Sequence, residues 1–128
     1  MTEFYMDRKK ILLVDDEEAI RKMVRAILGA DNYDFAEASN GLEAQALLDK
    51  TAYDLVISDV IMPDCDGIEL VMAIRHKLPG IKVIVMSGGG RVRAGHYLDL
   101  ASKLGAARVF EKPFDTAALR TAVKELLV

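Results

Sequence analysis

Along this chain, short apolar runs alternate with stretches where apolar residues recur at helical spacing. Lys10-Ile11-Leu12-Leu13-Val14 opens the series as a strand that is apolar on both faces. Ile20, Met23, Val24, Ile27 and Leu28 then fall on one face of a helix, and Gly29 is its expected stop. Tyr33 to Ala38 alternates only in part and predicts a weaker strand. Asn40 is the expected cap of a helix bearing Leu42, Ala46, Leu47 and Leu48, with Gly41 unusual in its first turn. Leu55 to Ser58 reads as a third strand. A helix with Ile68, Val71 and Ile74 on one side follows Gly67, and Pro79-Gly80 punctuates it. Ile81 to Met86, rich in β-branched residues, predicts a fourth strand. Gly88-Gly89-Gly90 reads as a loop before a helix marked by Tyr97, Leu98, Ala101 and Leu104, which ends at Gly105. Arg108-Val109-Phe110 is the fifth strand, and Asp115 caps a last helix with Leu119, Val123 and Leu126.

Strand followed by helix, five times over, predicts an α/β fold. A mostly parallel sheet of five strands is doubly wound by helices on both faces. Crossovers in such a sheet are right-handed, which leaves few topologies. Residues 1–8 show no clear period and read as a short leader, so the expected domain runs over residues 9–128. A chain of 128 residues fits one compact domain. Hydrophobic residues make up 52% while aromatics are only 6%, so aliphatic side chains must fill the core. A net charge of −3 offers no general attraction to nucleic acid or to an anionic membrane. No apolar stretch is long enough to span a bilayer, no signal peptide is evident, and the single cysteine, Cys65, can form no internal disulfide. The expected location is cytoplasmic.

The chemistry gathers where the strands end. Ligands of open α/β sheets sit beyond the carboxyl ends of the strands. There the chain carries Asp15 and Asp16 after the first strand, Asp59 after the third, Ser87 after the fourth and Lys112 after the fifth. These residues are far apart in sequence, so only the fold can group them. The segment VISDVIMPDCDG at 56–67 shows the logic: an apolar run delivers Asp59 at its tip, and Met62-Pro63 with Asp66-Gly67 turn the chain away.

Clustered carboxylates repel, and a divalent cation removes the conflict. An all-oxygen, partly open site suits Mg²⁺. Calcium would need more oxygens, at EF-hand spacing. Zinc would need nitrogen or sulfur donors that His76, His96 and Cys65 do not bring to a strand end. A cation beside a carboxylate, a lysine and a hydroxyl provides the parts for phosphoryl transfer. In that arrangement Asp59 is the nucleophile that becomes an aspartyl phosphate. Asp16 holds the metal directly and Asp15 holds it directly or through water. Lys112 neutralises phosphoryl charge, and Ser87 donates a hydrogen bond to a phosphate oxygen.

The segments ILLVDDEE at 11–18, DLVISDVIMPDCDGIEL at 54–70, VIVMSGGG at 83–90 and VFEKPF at 109–114 resemble the receiver domain of two-component response regulators. Each motif alone is weak; together, and in this order, they are specific. The resemblance implies a flavodoxin-like sheet of order 2-1-3-4-5. It implies a phosphoryl group passed from a sensor histidine kinase or a histidine phosphotransfer protein to Asp59. It further implies Mg²⁺ on Asp16, Asp59 and the backbone carbonyl of Ile61 with Asp15 in support, phosphate sensing by Ser87 and Lys112, and a cis bond before Pro113. A downstream protein partner and no direct DNA binding or membrane contact complete the expectation, which is a receiver standing alone.

Two features depart from the family. Where many receivers carry an aromatic three residues before the lysine, this chain has Val109, and Phe110 falls on the other face of the strand. The glycine triplet and Arg91 follow the fourth strand, so the expected readout is a rearrangement of that loop and the helix after it. Other polar residues have ordinary explanations. Glu17 and Glu18 suit the first turn of a helix, Asp64 and Asp66 suit a turn, and Arg91, Arg93, His76 and His96 suit a solvated surface. The triplet also lacks the spacing of nucleotide phosphate loops. Two other functions compete. A degenerate receiver that binds partners without phosphorylation is argued against by the intact set of acids, Ser87 and Lys112. A small α/β phosphatase would place an acid two residues after its nucleophile, where this chain has Ile61.

Overall fold

The computed structural model describes residues 8–59, 67–87, 102–103, 105–112 and 115–128. Within them the elements run β1 (Lys10–Val14), α1 (Glu18–Leu28), β2 (Asp34–Ala38), α2 (Gly41–Lys50), β3 (Leu55–Asp59), α3 (Gly67–Lys77), β4 (Lys82–Ser87), β5 (Arg108–Glu111) and α4 (Thr116–Leu126). The five strands form one sheet in the order β2-β1-β3-β4-β5, and every pairing is parallel. The expected doubly wound α/β sheet of order 2-1-3-4-5 is therefore present. Several expectations lie outside the described residues: the leader before Arg8, the carbonyl of Ile61, the turn at Met62-Pro63 and Asp66, the glycine triplet, the residues Tyr97, Leu98, Ala101 and Leu104, and the cis bond at Pro113.

The sheet separates two cores because successive strand residues face opposite ways. Leu12, Val14, Val56, Val83 and Val85 pack under α2 and α3, with Ala44, Leu48, Val71 and Ile74. Ile11, Leu13, Leu55, Ile57, Ile84 and Met86 pack under α1 and α4, with Val24, Leu28, Leu119 and Val123. β1 and β3 lie between neighbours and are buried on both faces. β2 and β5 are the edges, which explains the weak alternation of Asp34–Ala38 and the exposure of Val109.

The helix ends follow local chemistry. The Asn40 side chain accepts from the Glu43 amide, and Glu43 reaches back to the Ser39 amide and hydroxyl. Asp115 accepts from the amides of Ala117 and Ala118. Gly29 ends α1 at φ 92, a left-handed turn where a Cβ would also stand 2.4 Å from Asn32 Nδ2. Three apolar positions depart from the periodicity, Ala46 among them, which is exposed on α2. Met23 is 42% exposed and Leu42 is 62% exposed. Leu42 sits in the first turn of α2, where Gly41 and Ala44 take the buried positions.

Candidate functional site

The polar residues expected at the strand ends are buried there: Asp15, Asp59 and Ser87 join Ser58 as the only buried polar side chains among the described residues. Alternation places Asp15 beyond the Ile11–Leu13 row and Asp59 beyond the Leu55–Ile57 row, so both acids leave the same side of the sheet. β1 and β3 pair up to Val14 and Ser58, which puts the two aspartates one step further on, side by side.

Lys112 arrives from the far edge. Its amide donates to the Ser87 carbonyl at 2.7 Å, extending the β4–β5 ladder past Glu111. Its ammonium donates to Asp15 Oδ2 at 3.0 Å, between residues 97 apart in sequence. The same nitrogen stands 3.8 Å from Asp59 Oδ2. The ammonium thus bridges the two acids and holds Asp15 the more closely. Charges buried this deeply carry a large desolvation cost, so each needs the other.

Asp15 is engaged on all sides. Its Oδ1 accepts from the Glu17 amide at 2.9 Å, its own amide donates to Ala38, and its carbonyl accepts from Arg21. Asp16, by contrast, is exposed. Carboxylate oxygens of Asp15, Asp16 and Glu17 lie within 4.8 Å of one another, the one such group among the described residues. Sequence reasoning gave Glu17 no role beyond the helix terminus. Its place in the acidic group depends on the turn between β1 and α1, which carries no spacing signal. Asp59 reaches this group through Lys112.

Ser87 is fully buried, and its Oγ has no hydrogen-bond partner among the described residues. A buried hydroxyl left unpaired is costly and needs an explanation. Behind the acids lies an ion-pair network that sequence reasoning missed. Arg21 Nε donates to Glu37 Oε1 at 2.8 Å and Arg25 Nη1 donates to Glu37 Oε2 at 2.7 Å. Arg25 also lies over the Phe35 ring, 5.3 Å from its centroid. Burial pushes the Glu37 carboxyl up, but the hydrogen bonds and charges of Arg21 and Arg25 outweigh it and hold it below the ordinary glutamate value.

Comparison with known proteins fits this arrangement. The family model of the response regulator receiver domain matches residues 11–124. The chain belongs to the receiver domain family. It is 35% identical to sporulation initiation phosphotransferase F of Bacillus subtilis over 95% of this chain and 96% of that protein. It is 37% identical to the chemotaxis protein CheY of Listeria monocytogenes over 91% of this chain and 96% of that one. Other relatives are much longer, and the chain spans only 12% and 27% of two of them. Among solved structures, a CheY-like receiver domain from Methanospirillum hungatei superposes with a TM-score of 0.82 at 28% identity, covering 94% of each chain. The protein is thus a receiver domain of two-component signalling. No helix among the described residues is long and apolar enough to cross a membrane.

Proposed function

We propose that this receiver accepts a phosphoryl group on Asp59, from a sensor histidine kinase or a histidine phosphotransfer protein, with Mg²⁺ as cofactor. The observation that carries the reading is the Lys112 ammonium, 3.0 Å from Asp15 and 3.8 Å from Asp59. A cation so placed screens the acids at rest and stands ready for the charge of an incoming phosphoryl group.

The donor set suits magnesium: several carboxylates, one of them exposed, with no nitrogen or sulfur ligand among the grouped residues. Asp16 and Asp59 with the Ile61 carbonyl would hold the ion and Asp15 would support it; Glu17 is close enough to contribute. Bound there, the ion would neutralise charge on the phosphoryl oxygens. The remaining steps belong to the chain itself. An Asp59 carboxylate oxygen attacks phosphorus in line with the donor's P–N bond. The O–P bond forms, the P–N bond breaks, and the departing imidazole takes a proton from solvent. Lys112 turns from Asp15 toward the new phosphate, and the Ser87 hydroxyl gains an acceptor that the described residues do not supply. Partner binding then changes through the loop and helix that follow β4, since Val109 leaves no aromatic at the usual position. The domain is expected over residues 9–128.

Beryllium fluoride with Mg²⁺, followed by backbone NMR, tests the assignment. The expected result is large shifts at the amides of Asp59, Ser87 and Lys112 in the native protein, and none in Asp59→Asn. Equal shifts in the two proteins would exclude Asp59 as the acceptor.

A further inference from the structure

The exposed carboxylate of Asp16 must be aimed by its backbone, because no side-chain hydrogen bond or ion pair to a described residue holds it. Two peptide units flank it. The carbonyl of the first, on Asp15, accepts from Arg21 Nη1 at 2.6 Å. The amide of the second, on Glu17, donates to Asp15 Oδ1 at 2.9 Å. Arg21 is itself fixed: its Nε is bonded to Glu37 Oε1, and its side chain is only 13% exposed. Glu37 is braced in turn by Arg25 on its other oxygen. A rigid brace therefore runs from the edge strand β2, through Glu37 and the planar guanidinium, to the peptide that orients Asp16.

From this we infer that Arg21 is a positioning residue for cation binding, and that Glu37 orients it. The inference rests on the reading that Asp16 holds the cation. Arg21 bonds the Asp15 carbonyl and Glu37, so it is assigned no contact of its own with the ion or the phosphoryl group. It acts by keeping the Asp15–Asp16 peptide from rotating, which keeps the Asp16 carboxylate directed into the pocket.

Charge and position make opposite demands here, which gives the idea a sharp test. A positive side chain near a cation pocket repels the cation, so removing it should tighten binding if charge alone matters. Losing a brace should loosen binding. Arg25 supplies the control, because it carries the same charge and bonds the same glutamate, while the Asp15 carbonyl bonds Arg21.

The experiment is a Mg²⁺ titration followed by backbone NMR on the native protein, Arg21→Gln, Arg21→Lys and Arg25→Gln, with no phosphodonor present. Arg21→Gln is expected to bind Mg²⁺ about ten- to a hundredfold more weakly, the usual effect of losing a residue that orients a ligand. Arg21→Lys keeps the charge but cannot span carbonyl and carboxylate as a planar fork, so it is expected to weaken binding by a smaller factor. Arg25→Gln removes the same charge but leaves Arg21 both of its bonds, so it should lose far less affinity than Arg21→Gln or none. In metal-free buffer, the Glu17 amide should exchange faster in both Arg21 variants while the amides of Val83 and Val85 keep native rates. Native affinity in both Arg21 variants, or unchanged Glu17 exchange, overturns the inference and leaves the cation reading intact. A native protein that gives no Mg²⁺ response overturns the cation reading and the brace together.

Discussion

Strand β3 is bounded by two aspartates that meet opposite fates. Asp54, just before the strand, is exposed; its carboxylate accepts from the Lys10 amide at 2.8 Å, and its own amide donates to the Lys10 carbonyl. Asp59, at the other end, is 7% exposed and faces an ammonium from another strand. The first is a solvated cap that aligns β3 with β1. The second is a buried carboxylate that Lys112 comes from the edge of the sheet to meet. The lesson is that residue type says little until the environment is known. A carboxylate that water could satisfy is structural; one withdrawn from water and grouped with other acids marks the candidate site.

The contrast can be broken most forcefully at Lys112. In Lys112→Met, the buried Asp15 loses its ion-pair partner, and such losses cost about 3 kcal/mol or more. Urea unfolding in metal-free buffer should show a loss of that order, partly recovered when Mg²⁺ is added. In the native protein, Mg²⁺ at a hundredfold excess over its dissociation constant should raise stability by about 2.7 kcal/mol. Asp16→Asn should abolish most of that gain, as read by the shift in thermal midpoint.

A smaller effect belongs to Glu37. Because its folded value is depressed, its stabilisation is present above the ordinary value of 4.5 and is lost as pH falls through the lowered folded value. Glu37→Gln should cost about 1 kcal/mol at neutral pH, as expected for a partly screened network. The native and variant stability curves should converge in acid. Smallest of all, Asp54→Ala should change stability by about 0.5 kcal/mol and leave Mg²⁺ affinity unchanged. An Asp54→Ala loss as large as that of Lys112→Met would dissolve the distinction between the two ends.

Much of this was legible in the sequence. β1, β3 and β4 declare themselves because central parallel strands are apolar on both faces, and Asn40, Asp115 and Gly29 mark helix ends by local chemistry. Asp15, Asp59 and Ser87 were legible because each stands at the end of such a strand, and Lys112, after the edge strand β5, because it precedes Pro113-Phe114 at the last strand end. Other features have no local signal. Periodicity identifies the apolar side of a helix but not how far its neighbours extend over it, so Met23 and Leu42 read as core and lie in solvent. The Arg21–Glu37 pair joins a helix to an edge strand across 16 residues of chain. The preference of Lys112 for Asp15 over Asp59 is a matter of a fraction of an ångström in side-chain reach. Strand order itself came from family resemblance, since several orders bury the same apolar runs.

The most direct measurement is peptide-level mass analysis of the Mg²⁺-loaded protein after treatment with acetyl phosphate. The account predicts one phosphoryl group, carried by the peptide that contains Asp59, and none after the Asp59→Asn substitution. Labelling at a different acid, or an Asp59→Asn protein labelled as fully as the native one, would contradict it.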